Sequence, residues 1–252
     1  MTKAVTLITG ASAGLGAEFA RQCALRGEAL ALLARRRDRL EALKAELGGE
    51  VHVFAADLAL PRAPADLVAQ IQGTGLHIAA LINNAGFGLA GRFDAQPAER
   101  QSEMLHLNIG ALTELTRAVL PAMRARGSGA ILNVASTAAF QPGPHMAVYY
   151  ATKAYVLSLT EALHQELKGS GIKVSALCPG PTETEFFDVA NVHGMLRKMA
   201  TDAPSVVRAG LRGLDRNRAV IVPGLGNKAL AQGHRFVPRS VMRRVMARIK
   251  VE

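Results

Sequence analysis

Short apolar segments alternate with amphipathic segments along most of this 252-residue chain. The apolar segments are about six residues long, and they are apolar at successive positions rather than at every second one. That pattern is typical of strands that are buried on both faces of a sheet. It predicts strands over residues 4–9, 29–34, 51–56, 78–83, 130–135, 173–178 and 219–223.

The segments between the strands place apolar residues at helical spacing, and each ends near a glycine. They predict helices over residues 15–27, 37–49, 64–73, 99–127 and 152–169. Buried strands that alternate with helices indicate a parallel sheet, and right-handed crossovers make it doubly wound. We therefore expect one α/β domain over residues 1–252, Rossmann-like, with about seven strands and helices on both faces. Its ligand should lie at the carboxyl ends of the strands.

The composition is that of an ordinary globular protein, with 49% hydrophobic and 20% charged residues. No apolar run approaches the roughly 18 residues of a membrane span. The first residues, MTKAVTLITG, lack the pattern of a signal peptide. The two cysteines, Cys23 and Cys178, have the spacing of neither a metal site nor a redox pair. We therefore expect a cytoplasmic protein that holds no metal.

The net charge of +10 is concentrated at the end of the chain, where residues 228–252 contain seven Lys or Arg and one acid. Among these arginines, apolar residues recur at helical spacing, namely Val241, Met242, Val245, Met246 and Ile249. Such a basic amphipathic extension can lie on an anionic membrane or pack on protein, and we favour packing. Its one aromatic residue, Phe236, argues against a nucleic-acid-binding surface, which needs several stacking residues.

A glycine-rich turn, TGASAGLGAEFA, follows the first strand. Gly10, Gly14 and Gly16 would allow a tight turn and bring backbone N–H groups close to a pyrophosphate at a helix N-terminus. A turn of this composition also occurs without a ligand. Its position directly after the first strand of a βαβ unit favours a dinucleotide site.

The second strand ends in ALLARRRDRL, where NAD-binding folds usually carry a carboxylate for the ribose 2′-OH. This chain has Ala34 there, followed by Arg35, Arg36 and Arg37. Arginine makes bidentate contacts to phosphate, so the sequence favours the 2′-phosphate of NADP over NAD. The alternative is a solvated basic start of the next helix.

Two further strand ends fit a dinucleotide. Asp57 could accept a hydrogen bond from the adenine amine, or it could cap a local turn. The small, polar turn NNAG (83–86) would let the backbone at Asn84, Ala85 and Gly86 approach the adenosine ribose.

All three tyrosines of the chain lie in AVYYATKAY (147–155), around Lys153. Side chains three or four residues apart share a helix face, so Tyr149 and Tyr150 can each face Lys153, whereas Tyr155 cannot. A phenol has a pKa of about 10, and a nearby ammonium lowers that pKa toward the range of a general acid. By spacing alone, aromatic packing in a core or interface helix is the favoured alternative.

Six motifs occur in a set order: TGASAGLG (9–16), NNAG (83–86), LHLNIG with Asn108, ILNVAST with Ser136, YYATK (149–153) and CPGPTET (178–184). Each motif is modestly specific, and the six together are very specific. They resemble the classical short-chain dehydrogenases/reductases over residues 4 to about 223.

The resemblance implies a catalytic tetrad of Asn108, Ser136, Tyr149 and Lys153. Tyr149 would be the acid/base, Ser136 would hold the substrate oxygen, Lys153 would lower the phenol pKa, and Asn108 would hold a water. The implied cofactor-binding residues are Gly10, Ser12, Gly14, Leu15, Gly16, Arg35, Arg36, Asp57, Leu58, Asn84, Ala85, Gly86, Tyr149, Lys153, Pro179, Gly180, Thr182 and Thr184.

The implied activity is NADP(H)-dependent hydride transfer between the nicotinamide and a carbonyl or secondary alcohol. The segments expected over the nicotinamide, 86–93, 138–146 and 185–200, indicate an apolar substrate, although the same side chains could pack a lid onto the body. These side chains are Phe87, Phe140, Met146, Phe186, Phe187, Met195, Leu196 and Met199, with His145 and His193 as polar neighbours. The resemblance makes residues 181–215 a mobile substrate lid.

Two other activities fit the same residues. One is a 3-oxoacyl-thioester reductase of lipid metabolism, and the other is an NADP-binding regulator without turnover, against which the intact tetrad argues. The resemblance also implies a homodimer or homotetramer that associates through helices at about 98–125 and 148–168.

Overall fold

The computed structural model describes residues 2–190, 197, 200–233 and 236–248. Seven parallel strands form one sheet in the order β3-β2-β1-β4-β5-β6-β7. They are β1 (Lys3–Thr9), β2 (Leu30–Ala34), β3 (Val51–Ala55), β4 (Leu76–Asn83), β5 (Gly129–Val134), β6 (Ile172–Leu177) and β7 (Val220–Ile221). The doubly wound sheet expected from the sequence is thereby confirmed.

The helices follow the strands in regular alternation and cover both faces of the sheet. They are α1 (Gly14–Leu25), α2 (Arg37–Leu47), α3 (Ala63–Gly73), α4 (Ala98–Leu105), α5 (Leu112–Arg126), α6 (Ala147–Glu166), α7 (Phe186–Ala190), α8 (Ala203–Asp215), α9 (Leu225–Gly233) and α10 (Arg239–Met246). None of the described helices is long and apolar enough to cross a bilayer.

The sheet separates two apolar layers, and successive strand residues enter different layers. Ile8 and Leu32 pack on the side of α1, α2 and α8. Their neighbours Leu7 and Leu33 pack on the side of α3 and α5. Because both faces of each strand are covered, apolar residues predominate on both faces, which explains the apolar runs in the sequence.

The position of the site follows from the point at which the strand order of the sheet reverses. β1 pairs with β2 on one side and β4 on the other, so the crossovers that leave β1 and β4 diverge. A crevice forms where the strand order reverses, at the carboxyl ends of the strands.

The segment that was predicted as a lid, residues 181–215, does not behave as one unit. Its last part, α8, buries Val206, Val207 and Leu211 in the same apolar layer as α1. The Asp202 side chain caps this helix by accepting from Ser205 N at 2.8 Å. Residues 203–215 are therefore a core helix, and the lid prediction is wrong for this stretch. For residues 181–202 it stays a prediction.

The helix that was predicted over 99–127 is interrupted by a π-helical turn, His106–Ala111, between α4 and α5. A π turn accommodates one extra residue, and such turns are frequent at functional sites. The turn contains Asn108, which is buried and faces α6. Helical periodicity in the sequence does not show this interruption.

Candidate active site

Two adjacent elements carry the residues that were predicted to be catalytic. Ser136 follows β5 and caps a short 3-10 turn, in which its Oγ accepts from Ala138 N at 3.1 Å. Tyr149 and Lys153 lie one turn apart on α6, and both side chains are buried. The end of β5 and the first two turns of α6 therefore bring a hydroxyl, a phenol and an amine to one place.

Lys153 is held by the strand that precedes Ser136. Its Nζ donates to the Val134 carbonyl oxygen at 2.8 Å and lies 5.8 Å from the centre of the Tyr149 ring. Burial lowers the pKa of Lys153 to about 8, because an ammonium loses solvation inside the protein. At pH 7 the side chain is still mainly charged.

Burial has the opposite effect on the phenol of Tyr149. It raises the pKa of Tyr149, because a phenolate loses solvation, and a hydrogen bond with Ser136 acts in the opposite direction. Lys153 was expected to lower this pKa. The protein alone does not do so, because the ammonium is directed at Val134 and burial of the phenol dominates.

The other two tyrosines have different surroundings. The ring of Tyr150 lies against Gly143, where a Cβ atom would overlap it, and burial raises the pKa of Tyr150. Tyr155 is 39% exposed, and its hydroxyl lies 3.1 Å from Thr113 Oγ1. Tyr149 is the phenol that forms a hydrogen bond with Ser136.

Both the nitrogen and the oxygen of the Asn108 amide form hydrogen bonds within the protein. Its Nδ2 donates to the Phe87 carbonyl oxygen at 2.9 Å and to Thr152 Oγ1 at 3.1 Å. Its Oδ1 accepts from Phe87 N at 3.1 Å. The side chain thus fixes the chain after Gly86 to α6. It was predicted to hold a water, and that role stays a prediction.

In the glycine-rich turn, neighbouring backbone segments lie too close together for side chains at Gly10 and Gly16. Gly10 has φ of +66°, and a Cβ atom there would lie 2.9 Å from Asn84 Nδ2. A Cβ atom at Gly16 would overlap the Gly10 carbonyl oxygen, so α1 can pack against the turn only with glycine at this position. Ala13 is the N-cap of α1 and offers no side-chain acceptor, so the first N–H groups remain available to an anion.

Thr9 ties this turn to the turn after β4, and the sequence analysis missed it. The buried Thr9 Oγ1 accepts from Asn84 N and from Ala85 N, each at 2.9 Å. Asn84 Nδ2 returns a hydrogen bond to the Thr9 carbonyl oxygen at 3.0 Å. A threonine at the end of a β-branched strand gives no signal of such a role, because the residues it bonds are 75 and 76 positions away.

The residues expected to bind the adenosine end are already paired with one another. Arg35 lies 3.1 Å from Glu103 and 3.8 Å from Asp57. Asp57 Oδ1 accepts from Ala59 N at 3.0 Å, so this side chain caps a local turn, and its contact with the adenine amine stays a prediction. Arg36 donates to Ser12 Oγ at 3.2 Å and to Glu185 at 3.1 Å.

One cavity of about 570 Å³ connects both groups of residues. Its volume is within the range of about 300–1,000 Å³ that is usual for ligand sites. All but two of the predicted site residues line it, and those two, Gly16 and Asn108, are buried behind its wall. The predicted residues in the lining are Gly10, Ser12, Gly14, Leu15, Arg35, Arg36, Asp57, Leu58, Asn84, Ala85, Gly86, Ser136, Tyr149, Lys153, Pro179, Gly180, Thr182 and Thr184.

The order and spacing of these residues match a known family over three quarters of the chain. Residues 4–193 fit the family described as short chain dehydrogenase. The chain belongs to the short-chain dehydrogenase/reductase family. This family member is accordingly an oxidoreductase that acts on a carbonyl or the corresponding alcohol with a nicotinamide cofactor.

Similar proteins cover most of this dehydrogenase. A short-chain dehydrogenase from Sphingobium yanoikuyae in complex with NADPH is 37% identical, with a TM-score of 0.83 over 98% of this chain and 96% of that one. The bulky-bulky ketone specific alcohol dehydrogenase from Comamonas testosteroni is 32% identical, with a TM-score of 0.79 over 99% and 95%. The sulfoacetaldehyde reductase of Chromohalobacter salexigens is 40% identical over 71% of this chain and 72% of its own.

The residues present fit a dinucleotide on structural grounds. The turn after β1 leaves no room for a Cβ atom at Gly16, and the uncapped start of α1 opens into the cavity. Arg36 supplies a cation at the far end of the same cavity, and Lys153 supplies an amine in its interior. A pyrophosphate, a 2′-phosphate and a ribose would each meet a suitable partner.

Part of the cavity lining is apolar, and part of its wall comes from the C-terminal extension. Among the side chains proposed from the sequence, Phe87, Met146, Phe186 and Phe187 line it. Phe140 packs in another apolar cluster, and His145 is exposed. His193, Met195, Leu196 and Met199 lie outside the described residues. Val189, Leu230 and Met246 are among the wall residues that the sequence did not indicate.

Proposed function

We propose that this protein is an NADPH-dependent reductase of bulky apolar ketones, which also oxidises the corresponding secondary alcohols. The observation that carries this proposal is the position of Phe186, whose ring centre lies 5.3 Å from that of Tyr149. An apolar substrate that covers Phe186 would therefore bring its carbonyl oxygen to the Tyr149 hydroxyl. The 32% identity to a bulky-bulky ketone specific alcohol dehydrogenase supports the same class of substrate.

Arg36 supports the preference for NADP over NAD. It lines the cavity beside Ser12 of the glycine-rich turn, and no carboxylate replaces it at the end of β2. A guanidinium favours a 2′-phosphate, whereas a carboxylate at this point would favour a 2′-hydroxyl. The relative from Sphingobium yanoikuyae, which was solved with NADPH, supports the same choice.

The proposed mechanism divides the reaction among three side chains. Ser136 donates a hydrogen bond to the carbonyl oxygen of the substrate and stabilises the charge that develops there. Tyr149 gives this oxygen its proton. The raised pKa of the buried phenol keeps Tyr149 protonated before that step. Lys153 donates N–H groups within the cavity, since only one of its protons is needed for Val134. NADPH supplies the hydride when bound.

A small anionic substrate fits this cavity poorly, although one relative is a sulfoacetaldehyde reductase. Among the described residues that line the cavity, the cations are Arg35, Arg36 and Lys153. Two of these belong to the adenosine end, and Lys153 is used beside Tyr149. A sulfonate in the apolar part of the cavity would have no cation to pair with.

The test is NADPH oxidation by the purified protein across a panel of carbonyl compounds, with NADH measured in parallel. We expect bulky aryl and alkyl ketones to give higher kcat/KM than acetaldehyde or sulfoacetaldehyde, and NADPH to give higher kcat/KM than NADH. The panel includes a 3-oxoacyl thioester, and a preference for it would replace the proposal by the thioester reductase. Tight NADPH binding without turnover of any compound would favour the regulator.

A further inference from the structure

Glu185 pairs with two arginines at the adenosine end of the cavity. Its carboxylate lies 3.1 Å from Arg36 and also binds Arg39, which follows one turn later on α2. The same Arg36 donates to Ser12 Oγ at 3.2 Å. These four residues, Ser12, Arg36, Arg39 and Glu185, are called the Glu185 clasp below.

The clasp joins parts of the chain that are far apart in sequence. Glu185 is 149 residues from Arg36 and 146 residues from Arg39. The arginines belong to the start of α2, whereas Glu185 immediately precedes α7. The clasp therefore connects the adenosine end of the cavity to the segment that carries Phe186 beside Tyr149.

A carboxylate and a phosphate use the same partner in the same way. Both accept parallel N–H bonds from a guanidinium, and both gain from a second cation nearby. The pairing of one carboxylate with Arg36 and Arg39 is the arrangement that a 2′-phosphate would seek at this point. The Glu185 side chain is 46% exposed, so water can replace its contacts when it leaves.

We propose that Glu185 is an internal competitor of the cofactor 2′-phosphate: the phosphate displaces it from Arg36 and Arg39, and the start of α7 is released from α2. The inference rests on the proposed preference for NADP. It makes Glu185 a specificity-determining residue that acts against the 2′-phosphate, and it assigns Arg39 a role beside Arg36.

The test compares nucleotide binding to the wild-type protein and to Glu185→Gln. Adenosine 2′,5′-bisphosphate and 5′-AMP isolate the contribution of the 2′-phosphate, and calorimetric titration measures Kd without any turnover. Glu183→Gln is the matched control, since Glu183 is an exposed glutamate two residues away that forms no ion pair within the described part of the chain.

We expect Glu185→Gln to lower the Kd of the 2′,5′-bisphosphate and of NADPH about three- to tenfold, because exposed ion pairs that compete with a ligand are worth modest factors. The Kd of 5′-AMP and of NADH should change less than about twofold, and Glu183→Gln should leave all four values unchanged. Weaker binding of all four nucleotides to Glu185→Gln would overturn the proposal and make Glu185 a residue that holds bound cofactor. Unchanged binding would overturn it as well.

Limited trypsin digestion tests the release of α7. Arg197 is exposed and pairs with Asp188 of α7 at 2.8 Å, so cleavage after it reports on this segment. The bisphosphate should accelerate that cleavage in the wild-type protein, and Glu185→Gln should show the faster rate without nucleotide. Equal cleavage rates after Arg197 in all samples would show that α7 is not released. If the wild-type protein binds 5′-AMP as tightly as the bisphosphate, the NADP preference itself is wrong. That result differs from unchanged nucleotide binding by Glu185→Gln, which would contradict only the role of Glu185.

Discussion

At the residue scale, burial shifts the pKa values of Tyr149 and Lys153 in opposite directions. It raises the pKa of the phenol and lowers that of the amine, because each loses the solvation of its charged form. A buried proton donor and a buried amine whose pKa lies near neutral pH therefore lie one turn apart. The Ser136 hydroxyl completes this group from the end of β5.

Removal of the Tyr149 hydroxyl should abolish most of the activity. We expect Tyr149→Phe to lower kcat/KM for the carbonyl substrate by about 10²–10⁴, the usual contribution of a general acid. The Kd of NADPH should change by less than about twofold. Tyr150→Phe is the matched control, because its ring packs against Gly143, and it should keep most of the activity. A Tyr149→Phe variant that retains turnover would exclude the phenol from proton transfer.

The protonation state of Lys153 should determine how kcat/KM for NADPH depends on pH. Its pKa is lowered to about 8, so the side chain is charged below pH 8 and neutral above it. We expect kcat/KM for NADPH to fall as pH rises through about 8, by at most tenfold per pH unit, because this ratio reports the free enzyme. Samples returned to pH 7 and assayed again control for denaturation. A flat profile up to pH 10 would contradict this assignment.

At the scale of elements, the site depends on how α1 and the π turn are packed. α1 approaches the turn after β1 so closely that Gly16 faces the Gly10 carbonyl oxygen. The π turn directs Asn108 toward Phe87 and Thr152, which fixes the chain after Gly86 to α6. Both arrangements set backbone positions, so the side chains on the cavity wall depend on them.

A methyl group at position 16 should push α1 away from the glycine-rich turn after β1. We expect Gly16→Ala to lower the free energy of unfolding by about 1–3 kcal/mol, the usual cost of overpacking, and to weaken NADPH binding at least about tenfold. Gly226→Ala in α9 is the control, since nothing lies within 4 Å of a Cβ atom there and it should be neutral or slightly stabilising. Urea unfolding and fluorescence titration measure the two quantities. Equal effects of the two variants would refute the packing argument.

At the scale of the whole molecule, the C-terminal extension forms part of the cavity wall. Met246 of α10 is buried and lines the cavity with Leu230 of α9, although both follow the segment that matches the family. The same helix exposes Val241 and Val245, so packing accounts for only part of its apolar face. Association into a homodimer or homotetramer stays a prediction.

Shortening the side chain of Met246 should weaken the binding of bulky substrates. We expect Met246→Ala to lower kcat/KM for a bulky ketone about three- to tenfold, because each buried methylene contributes about 0.8 kcal/mol. The KM of NADPH should not change. Val245→Ala on the exposed face is the control and should behave like the wild type. If both variants lose the same activity, α10 does not form the substrate wall.

The sequence determined the seven strands, the doubly wound fold class and most of the residues around the cavity. Local periodicity marks each strand and the helices between the first six strands, although not the break between α4 and α5. The rule that ligands bind at the carboxyl ends of parallel strands collects Gly10, Asp57, Asn84 and Ser136 at one edge. The seven strands were confirmed to within a few residues, because runs of residues buried on both faces leave a clear pattern.

Only the tertiary structure decided which distant residues meet. The pairing of Glu185 with Arg36, the bonds of Thr9 to the turn after β4, and the contribution of Met246 to the wall have no periodic signal. Each depends on how the ends of separate elements pack against one another. The pKa directions of Tyr149 and Lys153 are of the same kind, because burial is a property of the whole fold rather than of neighbouring residues.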